Sequence, residues 1–160
     1  MAVNAYVKID GRPGPSTAHK DCIDTLSFSF GATMTNTYGT GASGLEARAG
    51  RADVSNLTIM KVTDKLSPAL FDDCVSGNIL SNVTIFYAKM LGDDSQDFYK
   101  IELTDALVSS VSASGSSETP MESVSFAFQK IKVCYNPESD DGSLAGWVEK
   151  GFDMNTLKPF

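Results

Sequence analysis

Apolar residues return at every second position in run after run of this chain, a period that leaves little room for anything but β-structure. Val3, Ala5, Val7 and Ile9 alternate with Asn4, Tyr6, Lys8 and Asp10. Leu26, Phe28 and Phe30 alternate with Thr25, Ser27 and Ser29, so a face of small hydroxyls backs a face of large apolar groups. Such a strand suits a sheet with one wet side. Residues 51–62 read as a further strand with Leu57 and Ile59 inward. Residues 82–90 carry apolar groups on both faces, as a strand covered on both sides does. Gly92-Asp-Asp-Ser95 then turns a hairpin into Tyr99, Ile101 and Leu103, with Lys100 and Glu102 outward, and 106–112 continues as an apolar strand. Val124, Phe126 and Phe128 slip phase to Ile131, Val133 and Tyr135, which predicts a bulge near Gln129 and Lys130. Residues 144–148 and 151–154 are expected as a last short pair. The pattern predicts about eight or nine strands in a two-sheet sandwich or barrel.

One stretch breaks the period. Asp64-Lys-Leu-Ser-Pro-Ala-Leu-Phe-Asp-Asp-Cys-Val-Ser-Gly77 reads as the sole substantial helix, over about 67–76. Ser67 is expected as its N-cap and Pro68 at the first helical position. Leu70, Phe71, Cys74 and Val75 are expected on one apolar side, Asp72 and Asp73 on a solvated one. Gly77 suits the left-handed residue that ends a helix. A helix this short needs an apolar surface to lie on.

The rest is loop. Gly11-Arg-Pro-Gly-Pro15 stops the first strand. Residues 33–50 are rich in Gly, Thr, Ser and Ala without periodicity, a loop long enough to be functional and suited to an arm that orders against a neighbouring molecule. With 160 residues and no linker, the chain is expected to be one domain, 1–160.

Composition narrows function. The net charge is −7, from thirteen basic and twenty acidic residues, which disfavours general binding to nucleic acid or to anionic membranes. Cys22, Cys74 and Cys134 are odd in number and widely spaced, as reduced, mostly buried thiols are. The N-terminus lacks a continuous apolar run, so no signal peptide is expected. The single histidine, His19, sits in a polar loop with no Gly-x-Ser-x-Gly elbow elsewhere, and reads as solvated. The adjacent aspartates Asp72/Asp73, Asp93/Asp94 and Asp140/Asp141 fall on a helix surface and in turns rather than across a cleft. No catalytic residue, metal or cofactor is expected.

Several stretches, in order, resemble the Hcp family, the tube proteins of type VI secretion systems. They are Met1-Ala-Val-Asn-Ala-Tyr-Val-Lys-Ile-Asp-Gly11, Leu26-Ser-Phe-Ser-Phe-Gly31, Asp64-Lys-Leu-Ser-Pro-Ala-Leu-Phe71 with Cys74-Val-Ser-Gly77, Leu103-Thr-Asp-Ala-Leu-Val-Ser-Ser110, Glu122-Ser-Val-Ser-Phe-Ala-Phe-Gln-Lys-Ile-Lys-Val-Cys-Tyr135, and Asp141-Gly-Ser143 with Gly151-Phe-Asp153. The resemblance implies a two-sheet β-barrel with one flanking helix, similar to phage tail tube proteins. It implies six-membered rings that stack into a secreted tube, and partners comprising other copies of the chain, sheath and spike proteins, and small effectors carried in the lumen. By the same resemblance Ser27 and Ser29 face the lumen, and the arm reaches adjoining subunits through Tyr38, Gly39 and Leu45. Such a protein is made in the bacterial cytoplasm and exported by the type VI machinery. The chain has Phe30 and Phe152 where the family often has Trp, and Phe86-Tyr-Ala-Lys89 is less basic than usual. A phage-like tail tube protein and a stand-alone ligand-binding β-barrel are the alternatives.

Overall fold

The computed structural model describes residues 3–36, 49–91 and 93–160. In chain order the elements are β1 (Val3–Ile9), β2 (Cys22–Thr25), β3 (Ser27–Ser29), β4 (Ala32–Asn36), β5 (Ala49–Val54), β6 (Leu57–Val62), α1 (Ser67–Ser76), β7 (Ile79–Leu91), β8 (Asp94–Ser114), β9 (Met121–Ala127), β10 (Lys130–Tyr135), β11 (Val148–Asp153) and β12 (Lys158–Pro159). These strands form two sheets: one of ten strands, and a two-stranded ribbon of β4 and β5.

β8 is the spine. Its first half pairs with β7 on one edge and β10 on the other, and its second half pairs with β9. The bulge expected near Gln129 and Lys130 is absent. The register runs unshifted from Leu107–Ala127 to Thr104–Lys130 across the gap between β9 and β10, where the Gln129 N–H donates to the Thr104 carbonyl at 3.1 Å. The apolar phase changes because both strands bend together, and the register shift of the β8–β9 pair lies between Val108 and Ser110. Opposite the gap, Asp105 takes a positive φ of 50°. A strand bent there wraps both halves around one core. Val7, Ile85, Ile101 and Leu103 meet Leu57, Ile59, Val124 and Phe126, all buried, so the inside is filled rather than hollow.

The curl does not close into a barrel. Residues 22–29 leave β1 and join β6 at a corner, Leu26, whose N–H donates to the Met60 carbonyl at 2.8 Å. Thr25 points in, Leu26 and Ser27 both point out, and Phe28 returns to the core. Leu26 therefore does not share the face of Phe28 and Phe30 as strict alternation predicts, because the strand changes partner at that residue. The stretch 33–50, expected as loop, begins and ends in the β4–β5 ribbon, which extends the β3–β6 pairing past Gly31 and Ser55. Gly50 lies so close to Thr35 that a Cβ would meet its hydroxyl at 2.0 Å.

α1 lies on this core through Leu70, Ala69 and Cys74. Leu66, not Ser67, is its N-cap, and no side chain caps it. The Ser67 hydroxyl instead accepts the Asp64 N–H at 3.0 Å. Phe71 and Val75, expected inward, are 59% and 66% exposed. Asp73, expected in solvent, is buried, because the guanidinium of Arg12 grips both its oxygens at 2.6 and 3.0 Å and Asn78 donates to it at 3.0 Å. The expected end holds: Gly77 is left-handed, φ 68°, and its N–H donates to the Asp73 carbonyl.

Candidate functional site

The outward faces of β3, β6, β9 and β8 form one surface. The register aligns Ser29, Thr58, Ser125 and Ser110 in one row across the strands. It aligns Ser27, Met60, Ser123 and Ser112 in the next. The hydroxyls of Thr58 and Ser125 bond at 2.8 Å, a cross-strand pair of the kind that steadies a sheet face. Ser27 and Ser29, singled out in the sequence, sit exposed in these rows. Thr58, Ser110, Ser112, Ser123 and Ser125 join them only through the fold. For Ser110, Ser112, Ser123 and Ser125 the signal was present as the same serine alternation, but a period of two does not say which strands lie side by side.

Below this surface is a buried ion cluster. Lys61 is 0% exposed, and its ammonium lies 2.8 Å from Glu122 Oε2, across the β6–β9 pair. It also donates to Asp64 Oδ1 and Ser67 Oγ, both at 3.2 Å. Glu122 Oε2 receives no well-aligned hydrogen bond, so the attraction at 2.8 Å is chiefly that of charge for charge. The cluster binds the start of α1 to the underside of the sheet. A slip of one residue between β6 and β9 would turn one strand over relative to the other, putting one charge outside and leaving its partner buried alone, so the cluster also fixes register.

This sheet ends in two open edges. Among the described residues no strand pairs with β3 on the side away from β6. The pairing of β7 with β8 stops at Leu107, so residues 108–114 have β9 on one side and no described strand on the other. Unpaired N–H and C=O groups on such edges invite another chain.

The far side of the molecule is different in kind. On β8, β10 and β11, Glu102 accepts Lys132 at 2.9 Å and Lys100 at 3.2 Å, and Lys132 reaches Glu149 at 3.5 Å. Burial pushes the Glu102 carboxyl up, but hydrogen bonds from Lys132 and Lys100 outweigh it and hold the group below the usual range. Lys100 also stands 4.6 Å over the Trp147 ring.

The remaining chemical candidates are placed apart. His19 stacks on the Tyr6 ring at 3.5 Å between centroids, half-buried rather than free in solvent. Tyr6 stacks in turn on Phe86, and its hydroxyl donates to Asp97. Asp72 accepts Ser76 on the helix surface, and Asp141 holds Ser143 in its turn. Cys22 and Cys134 are buried free thiols and Cys74 is partly buried. Tyr38, Gly39 and Leu45 lie outside the described residues.

The profile of a family described as "Type VI secretion system effector, Hcp" matches residues 6–135. Protein hcp1 of Pseudomonas aeruginosa is 32% identical over 150 residues, covering 91% of both chains. A solved structure of a type six secretion system protein superposes with a TM-score of 0.88 at 29% identity, covering 99% of this chain and 100% of that one. Hcp1 from Salmonella typhimurium superposes with a TM-score of 0.79 at 30% identity, over 100% of both. With its fold, its ordered motifs and most of its length in agreement, the chain belongs to the Hcp family of type VI secretion system proteins.

Proposed function

We propose that this protein is the tube subunit of a type VI secretion system, and that its hydroxyl-bearing sheet borders the bore of a six-membered ring. The observation that carries the reading is the pair of open edges on the four-stranded sheet. The β3 edge of one copy and the 108–114 edge of the next continue one sheet from subunit to subunit. A repeated contact between two different edges makes a ring where the rotation closes. Six copies is the number that the resemblance to tube proteins implies. The β4–β5 ribbon projects from the β3 side and is exposed along most of its length, as an arm that rests on a neighbour would be. A two-stranded ribbon is marginal in water alone, so a neighbouring surface would stabilise it. Tyr38, Gly39 and Leu45 belong to the segment this ribbon carries.

On this reading the protein works by shape. Rings stack into a tube, a sheath and a spike act on the tube from outside, and small effectors travel inside it. No catalytic step is assigned: His19, Asp73 and Lys61 are each engaged in contacts that hold the fold together.

The test is cross-linking. In a Cys74→Ser background, Ser27→Cys or Ser29→Cys is combined with Ser110→Cys or Ser112→Cys and oxidised at high concentration. The expected product is a ladder of covalent oligomers ending at six subunits, with rings in negative-stain images and a six-subunit mass in light scattering. Monomers only, in every pairing and in the unmodified chain, would overturn the reading.

A further inference from the structure

We infer that the bore wall recognises its cargo without ion pairing, and that the cargo is a small folded protein presenting an apolar patch in an uncharged surface. The inference rests on the ring reading above. No residue in the two rows across β3, β6, β9 and β8 is ionisable, in a chain with thirteen basic and twenty acidic residues. The charged pair that β6 and β9 do carry, Lys61 and Glu122, is turned into the core and neutralised there. The ion pairs of Glu102 and Lys132 lie on a different layer.

At one end the wall becomes apolar. Leu26, Met60 and Val62 are 56%, 36% and 40% exposed. Leu26 bonds to the Met60 backbone, and Leu26 and Val62 line a hollow of about 340 Å³ together with Pro15 and Thr63. Two carboxylates border this hollow: Asp64 is ion-paired with Lys61 at 3.2 Å, while Asp24, which lies outside the two rows, accepts the Ser16 hydroxyl at 2.8 Å and keeps its charge at the rim. In a ring this strip repeats as a belt. Methionine is flexible and polarisable, so it adapts to apolar surfaces of differing shape. Each apolar contact contributes ~25 cal/mol per Å² removed from water, and the ring multiplies it. Hydroxyls along the rest of the wall satisfy polar groups of the passenger but add no charge that would hold or repel it.

The test uses rings of the intact chain and one small monomeric carrier protein in four surface versions: acidic, basic, neutral, and neutral with an added leucine patch. Binding is read by fluorescence anisotropy at about 50 mM and about 0.5 M salt, which shortens the Debye length from over ~10 Å to under ~5 Å. The leucine-patched version is expected to bind about tenfold tighter than the plain neutral one, a difference of about 1.4 kcal/mol. Its affinity is expected to change less than about twofold with salt. Met60→Gln keeps the side-chain volume at an exposed site, so the ring persists, and is expected to remove most of the patch preference. The inference is overturned if the acidic or basic version binds best and is weakened by salt. It is overturned equally if Met60→Gln leaves the preference intact, or if the variant reduces stacking of rings rather than uptake of the carrier. Failure of the ring reading shows separately, as loss of the six-subunit mass in the unmodified chain.

Discussion

At the residue scale, two buried charges decide most. Lys61 is the larger risk to the fold, because an ammonium with no exposure is tolerable only beside its partners. Lys61→Met alone strands Glu122 in the core and is expected to cost about 3–5 kcal/mol in urea unfolding. Lys61→Met with Glu122→Leu removes both charges and is expected to recover most of that loss. A double variant as unstable as the single one would show that the pair does more than neutralise itself. Asp73 gives a pH signature. Hydrogen bonds from Arg12 hold its carboxyl below the ordinary range despite its burial, and raise the guanidinium in return. A depressed acid stabilises the fold fully above its unfolded pKa, near ~3.9, and loses that contribution as pH falls through its lower folded value. Asp73→Asn is expected to lose about 2 kcal/mol at neutral pH and to flatten the acid limb of the stability curve below about pH 4. An unchanged acid limb would place the acid sensitivity elsewhere.

At the element scale, α1 shows how far a periodic pattern reaches. Four apolar residues at helical spacing cover an arc wider than the surface that receives them, and the curled sheet receives the side with Leu70 and Cys74. Leu70→Ala is expected to cost about 2–5 kcal/mol, whereas Phe71→Ser, at an exposed position, is expected to stay within about 0.5 kcal/mol. Equal losses in thermal unfolding would mean that Phe71 is covered in solution. The corner at Leu26 is a similar case. Alternation continues through the sequence from Thr25 to Phe30, but the chain leaves β1 for β6 there, and two successive residues face outward.

At the scale of the whole molecule, the neutral hydroxyl sheet and the ion-paired layer are opposite exposed faces around one filled core. Such a subunit has an inside and an outside before it meets its neighbours. Ring formation binds the folded state only, so by mass action the melting temperature is expected to rise with protein concentration. Every tenfold increase adds on the order of 1 kcal/mol per contact, and scanning fluorimetry over three decades of concentration reads it. A melting temperature that does not move would indicate a stable, separate subunit.

Strand alternation, the change of phase near Gln129, the Gly77 stop and the serine face at Ser27 and Ser29 were legible in the chain alone. Each depends on local sterics or on a period of two or 3.6, which neighbouring residues carry themselves. Tertiary structure decided the inward turn of Lys61, the grip of Arg12 on Asp73, the corner at Leu26 and the union of Ser27 and Ser29 with Thr58, Ser110 and Ser125 into one surface. Those features join residues distant in sequence, and their energies exist only once the curled sheet has brought the partners within a few ångströms.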